Sequence, residues 1–286
     1  MKTAFYSICG LRLRIDFEDP PNKELEQCLF RTEEAGTDVH VTLSPVPEIP
    51  TPEGVACKSH REYPVWRSGD RISRECWDLF RPEPHALAEY DLIDPSKLRC
   101  RIRQEYWNWA TREKYLWNGI QLQYLLLHHR GMIFHASYIG FEGNGIVFTA
   151  PSQTGKSTQA RLWEQYRGAE VINGDKAGIH LGDRPTVCGV PFSGTSGICQ
   201  NVSLPLKAIV VLSQAPENTV RRMKPIEAIQ ALCPNLFVDQ AITEEWHIAM
   251  RLLMDLVEQV PIYALACTPD ERAVEALHGA IFGENE

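Results

Sequence analysis

The string Ala150-Pro151-Ser152-Gln153-Thr154-Gly155-Lys156-Ser157 has the spacing of a phosphate-binding loop (Walker A), with Ala where the first glycine usually stands. Such a loop uses small residues so that successive backbone N–H groups can converge on phosphate oxygens, a lysine to reach the outer phosphates, and a hydroxyl to hold a metal ion. Ser152, Gln153, Thr154 and Gly155 would cradle the phosphates of ATP, Lys156 would meet the outer ones, Ser157 would hold Mg²⁺, and Thr158 would carry the binding segment into the following helix. A nucleotide site of this kind also needs a carboxylate at a neighbouring strand end, to steer the metal or accept a proton. Asp175, 19 residues after Lys156 in Asn173-Gly174-Asp175-Lys176, fits both roles. Glu142 falls in a hairpin turn, and Glu164 and Glu170 fall on or after a helix, so they rank below it.

His135 lies in Ile133-Phe134-His135-Ala136, on the strand expected to pair with the one that feeds the loop. An imidazole there could orient Asp175 or exchange a proton with it. A second Gly/Ser-rich string, Pro191-Phe192-Ser193-Gly194-Thr195-Ser196-Gly197, has the composition of a connection that can carry acceptor binding. Ser193, Gly194, Thr195 and Ser196 are its candidate contacts. Arg161, Arg221, Arg222 and Lys224 could compensate charge, but solvated surface is the simpler reading of each. His128 and His129, at the end of a helix, read as partners of its dipole.

These residues need a scaffold that brings a loop, a strand end and a neighbouring strand together. The pattern after residue 130 supplies one. A strand over Met132–Ile139, a turn at Glu142-Gly143-Asn144 and a strand over Gly145–Thr149 read as a hairpin. The loop follows, then a helix over Ser157–Tyr166 and a strand over Glu170–Asn173, with further strands near Ile179, Val187 and Ala208–Leu212. Helices are expected over Pro225–Leu232 and Glu244–Val260, and a strand over Ile262–Ala266. Thr268-Pro269-Asp270-Glu271 reads as an N-cap at Thr268, a Pro at the first helical position and a capping-box Glu, opening a last helix that runs to Phe282. Residues 111–130 read as one buried connecting helix. Residues 1–110, with strands at Phe5–Ile8, Leu11–Phe17 and Val39–Leu43 and a tryptophan-rich composition, read as a packed, mostly-β accessory domain without chemistry of its own.

The 286 residues carry 29 Lys and Arg against 37 Asp and Glu, a net charge of −8. That balance is of a soluble globular chain, and it argues against nucleic acid and anionic membrane as general partners. No apolar run approaches the roughly 18 residues of a membrane span. Nine scattered cysteines without a C-x-x-C pattern indicate reduced thiols, hence a cytoplasmic protein.

His135, the run Gly145 to Thr158, the Val171 to Asp175 strand end, the Gly197-Ile198 string and the Val260-Pro261 strand occur in the order found in the catalytic domain of HPr serine kinase/phosphorylase. Over residues 125 to 286 the chain resembles that superfamily, which shares its P-loop core with ATP-dependent phosphoenolpyruvate carboxykinase. More closely, it looks like the short HPr-kinase-like proteins of bacteria, some of which belong to peptide-modification pathways and phosphorylate a serine of a precursor peptide. The resemblance implies an α/β fold with a mixed-sheet P-loop core at 131–286, preceded by the connecting helix and the accessory domain. It also implies an ATP- and Mg²⁺-dependent transfer to a Ser hydroxyl of a peptide or protein: Lys156 on the β and γ phosphates, Ser157 and Asp175 at the metal, Asp175 as base and His135 assisting it. A homo-oligomer is implied too, since HPr kinases form hexamers.

Several positions depart from the family. Gly174 stands where the kinases have the first of two adjacent acids, Thr158 replaces an acid after the loop serine, and Gly194 and Thr195 replace an Arg-Gly pair. HPr as substrate and the reverse phosphorylase activity are therefore not implied. Two other functions stay open: a nucleotide-binding adaptor that has lost transfer, and a small-molecule kinase acting, for example, on free serine.

Overall fold

The computed structural model describes all residues except 34–35, 59–63, 78–82, 152 and 284–286. The chain divides into two compact units, one of residues 1–129 with 238–248, the other of residues 130–237 with 249–286. Each has a mixed sheet with helices, an α/β architecture. Among the described residues no helix is long and apolar enough to cross a membrane, and the nine cysteines form no disulfide with one another.

The first unit contains β1 (Lys2–Ile8), β2 (Leu11–Phe17), β3 (Arg31–Thr32), β4 (Val39–Val46), β5 (Val55–Cys57), β6 (Val65–Ser68), β7 (Arg71–Cys76), β8 (Ala86–Asp91) and β9 (Lys97–Arg103). They form one sheet in the order β3-β1-β2-β4-β9-β8-β7-β6-β5, in which β4 runs parallel to both β2 and β9. Alternation decides its faces: Leu11, Leu13, Ile15 and Phe17 of β2 are buried, as are Leu98, Cys100 and Ile102 of β9. Trp117 is fully buried with its ring edge-on to Tyr6, centroids 5.2 Å apart.

Residues 107–128 form three short helices, α1 (Trp107–Ala110), α2 (Glu113–Gly119) and α3 (Leu122–His128), where the apolar spacing predicts one connecting helix over 111–130. The break is at Gln121, whose left-handed backbone (φ 56, ψ 46) cannot continue a helix; its amide donates to Asn118 O at 2.9 Å. All of Leu122 to Leu127 is buried, so the extra leucines mark a helix enclosed on every side rather than a wider stripe.

In the second unit β10 (Gly131–Phe141) turns through Glu142 and Gly143, both with positive φ, into β11 (Asn144–Thr149). Then come α4 (Lys156–Arg167), β12 (Glu170–Asn173), β13 (Lys176–Leu181), β14 (Pro185–Gly189), β15 (Ser203–Gln214), β16 (Thr219–Arg222), α5 (Pro225–Leu232), α6 (Thr243–Gln259), β17 (Ile262–Cys267) and α7 (Glu271–Phe282). The sheet order is β11-β10-β13-β14-β15-β17-β16, with β12 also on β10. Because β15 pairs antiparallel with β14 and parallel with β11, this path returns on itself. Helices α4 and α7 cover it through Ala160, Trp163, Val274 and Leu277, packed on Ile146, Phe148, Val210 and Leu265.

The cap of α7 differs from the sequence expectation. Asp270 is the N-cap, extended at φ −134 and accepting from Ala273 N at 3.1 Å, while the Thr268 hydroxyl donates to Asp270 Oδ2 at 2.9 Å. A carboxylate is at least as good a cap as a hydroxyl, and the helix begins two residues later, leaving Pro269 before it. β16, which carries Arg221 and Arg222, has no counterpart in the sequence reading; Arg221 is exposed and paired with Glu227 at 2.8 Å.

Candidate functional site

The loop between β11 and α4 is a strand–turn–helix connection. Gly155, at φ 117, is the N-cap of α4, and no neighbouring atom would touch a Cβ there, so its backbone angle alone requires glycine. Gln153 also has positive φ, at 64°. The Thr154 hydroxyl donates to Pro151 O at 2.9 Å and closes the loop on itself. Lys156, Gln159, Ala160 and Trp163 form the buried stripe of α4, which places the lysine on the inner side of its first turn, only 8% exposed. Its ammonium donates to Ala150 O at 3.0 Å and Pro151 O at 3.2 Å. Ser157 and Thr158 are exposed, and the Ser157 hydroxyl lies 3.4 Å from Gly174 O. Ser152 lies outside the described residues.

Strand β10 organises the rest. On one side it pairs with β11, bringing Ala136 opposite Thr149, whose hydroxyl donates to His135 O at 3.0 Å. On the other side its partner changes: β12 faces residues 138–140 and β13 faces residues 131–135. Gly174 and Asp175 occupy that change. Asn173, fully buried, builds the turn: its Oδ1 accepts from Asp175 N at 3.1 Å and Lys176 N at 3.0 Å, and its Nδ2 donates to Val190 O at 2.8 Å. Ala136 N donates to Asp175 O at 3.0 Å, and the Ser137 hydroxyl to Gly174 O at 3.1 Å. The result sets Asp175 beside His135, with Nδ1 3.6 Å from Oδ1, beyond a direct hydrogen bond but within electrostatic reach.

Two features here were not anticipated. Lys176, the next residue, ion-pairs with Asp175 Oδ2 at 2.8 Å, and its ammonium sits 4.9 Å from the Phe237 ring centroid and 5.7 Å from that of Phe192. The adjacency Asp175-Lys176 was the available signal, but neighbours on a strand normally point to opposite faces. The turn escapes that alternation. Second, the Ser193–Ser196 segment rests directly on this turn. A Cβ on Gly194, which has φ 55, would come within 2.4 Å of Asp175 Cγ, and a Cβ on Gly174 would meet Ser196 Oγ at 2.4 Å. Ser196 Oγ donates to Ser193 O at 2.7 Å and accepts from Ile198 N at 3.2 Å, so it is held within its own loop. Thr195 is exposed.

Burial is the main influence on Lys156 and lowers its pKa, with Asp175 opposing in part. Burial also lowers that of His135, helped by Lys156 and opposed by Asp175, so the imidazole is neutral near pH 7. The arrangement is a desolvated ammonium held by neutral carbonyls, across from one carboxylate with an uncharged base beside it. An anion of phosphate type fits that ammonium, because it supplies the counter-charge that the carbonyls lack. Among the described residues no three metal-ligating side chains cluster. A Mg²⁺ ion held by one carboxylate, one hydroxyl and phosphate oxygens needs no such cluster.

His128 does not act as a plain helix-end dipole partner. Its side chain is buried, with Nε2 3.6 Å from Glu245 Oε1, in the charged core of the first unit. Arg161, Glu164 and Glu170 are exposed.

Residues 99–280 match the family model described as "SynChlorMet cassette protein ScmC", and the chain belongs to that family. No curated protein matches. Among solved structures, the HPr(Ser) kinase/phosphatase from Coxiella burnetii aligns with 52% of this chain and 95% of its own length, at 11% identity and a TM-score of 0.31. A likeness of that size carries no argument about activity.

Proposed function

We propose that this member of the ScmC family is an ATP- and Mg²⁺-dependent kinase that transfers the γ-phosphate to a Ser hydroxyl of a peptide or protein. The observation that carries the reading is the Lys156 ammonium, buried at a helix N-terminus with only neutral carbonyls for partners, facing the His135–Asp175 pair. In this reading the ammonium turns from Ala150 O and Pro151 O to the β and γ phosphates, and amides of the 152–157 loop position them. Ser157 and Asp175 would hold Mg²⁺, which supplies neutralisation of the charge on the phosphates. Asp175 takes the proton of the acceptor hydroxyl as its oxygen bonds to the γ phosphorus and the bond to the ADP oxygen breaks. His135, neutral, steadies that carboxylate and can receive the proton from it. The Ser193–Ser196 segment, lying on Asp175, would meet the acceptor. Residues 131–286 would then do the chemistry and residues 1–110 select the acceptor.

One observation favours a second reading, a nucleotide-binding adaptor without transfer: Asp175 is engaged by Lys176, and no second acid stands at Gly174. Calorimetry of ATP binding with and without Mg²⁺, followed by a γ-phosphate transfer assay on serine peptides, separates the two. The kinase reading expects binding by wild type, binding weakened about 30- to 150-fold in Lys156→Ala, and retained binding with transfer lowered about 10²- to 10⁴-fold in Asp175→Asn. Binding without transfer to any hydroxyl acceptor selects the adaptor. No nucleotide binding at any magnesium concentration overturns both.

A further inference from the structure

The first unit carries a groove of about 360 Å³ on the face of its sheet opposite the core, lined by side chains of β4, β7, β8 and β9. Its lining follows from strand alternation. Leu98, Cys100 and Ile102 of β9 turn inward, so Lys97, Arg99 and Arg101 project from the other face. Register then sets their neighbours: Lys97 lies beside His40, Arg99 between Thr42 and Glu89, and Arg71 beside Asp91.

Not all of these charges are available. Arg101 is ion-paired with Glu89 at 2.5 Å, and His40 is held by Asp16 at 2.7 Å. Arg71, Lys97 and Arg99 are exposed and make no salt bridge with any described residue. In the lining Arg71, Lys97, Arg99 and Arg101 outnumber Glu89 and Asp91, the reverse of the whole chain's 29 Lys and Arg against 37 Asp and Glu.

We propose that this groove binds an acidic, extended peptide segment. Neighbouring strands stand about 4.8 Å apart and alternate side chains on one strand about 6.6–6.8 Å apart, and the second spacing is also the repeat of alternate side chains on an extended peptide. Alternate carboxylates of a segment lying along β9 can therefore meet Lys97 and Arg99 in turn, with Thr42 of β4 beside Arg99 and Arg71, two strands away on β7, on the far side of the groove. Glu89 and Asp91 in the lining oppose a continuous polyanion such as nucleic acid, which cannot leave gaps opposite them. The proposal stands on the first unit alone and is independent of phosphoryl transfer.

The test is fluorescence anisotropy on the full chain with three labelled probes: a heptapeptide alternating Glu and Thr, its Gln-for-Glu counterpart, and a single-stranded oligothymidylate. Saturable binding of the acidic peptide is expected, weakened about tenfold or more by Arg99→Glu or Lys97→Glu and by raising salt from about 50 mM to about 300 mM. The Gln peptide should not bind, and Arg272→Glu, an exposed change of equal charge in the other unit, should leave binding unchanged. Absence of saturable binding at low salt overturns the proposal, as does binding indifferent to the Arg99 and Lys97 substitutions. Tighter binding of the oligothymidylate overturns it in favour of nucleic acid.

Discussion

Arg74 of the first unit and Lys156 of the second are both buried cations, 2% and 8% exposed, and their surroundings are opposite. Arg74 donates to Glu245 and Asp239 and, through Nε, to Tyr90 Oη at 2.9 Å, while its guanidinium lies 3.5 Å from the Tyr124 ring centroid. Burial alone would lower its pKa, but Tyr90, Glu245, Tyr124 and Asp239 together raise it. Lys156 has two neutral carbonyls, and burial lowers its pKa with only partial opposition from Asp175. A cation with each of its nitrogens bonded to a fixed partner is part of the architecture. One desolvated without an adjacent counter-ion is held ready for an anion that arrives from outside. The geometry of hydrogen bonding, more than burial itself, separates a structural charge from one available for binding.

Breaking the first environment should have the largest effect. Arg74→Met leaves Glu245 and Asp239 buried without their cation, and should cost about 3–5 kcal/mol of stability, read from denaturant unfolding. Lys156→Ala should do the reverse: stability little changed or slightly increased, and ATP affinity lowered by about 2–3 kcal/mol, roughly 30- to 150-fold, by calorimetry. Equal losses of stability in the two variants would erase the distinction.

A smaller effect is expected at the Asp175 turn. Gly174→Ala pushes a methyl group onto Ser196 Oγ and should cost on the order of 1–2 kcal/mol, with much of the loss recovered by adding Ser196→Gly, which removes the obstructing hydroxymethyl. If the double variant is no better than the single one, the loop does not rest on this turn as described.

The smallest effect concerns pH. His135 has a folded-state pKa below its ordinary 6.5, so the unfolded chain binds more protons as pH falls through that value. The imidazole therefore removes stability progressively below about pH 6.5, and His135→Asn should flatten that part of the profile between about pH 7 and pH 5. An unchanged slope would mean that the imidazole is better solvated than its neighbours Lys156 and Asp175 suggest.

Much of the local structure was legible in the residues. The period-2 and period-3.6 patterns place β12 and α5 at the bounds the structure has, and α4 and α6 within a residue or two. The loop pattern of Gly155, Lys156 and Ser157 carries its own strand-to-helix context. Legibility failed where burial on all sides hid a break, as at Gln121, and where two caps competed within four residues, as at Thr268 and Asp270.

The chain by itself therefore determined the strand, loop and helix around Lys156 and the candidacy of His135 and Asp175, because these rest on neighbours within a few residues and on periodicity. Only the tertiary structure decided how they stand to one another. That β10 exchanges β12 for β13 at Asp175, that Lys176 turns onto the same carboxylate and that Gly194 lies against it all follow from strand register and a closed turn. The enclosure of Arg74 by carboxylates 165 and 171 residues further along follows from packing. Such pairings depend on which surfaces are buried against each other, a property of the whole fold that no local pattern of residue types records.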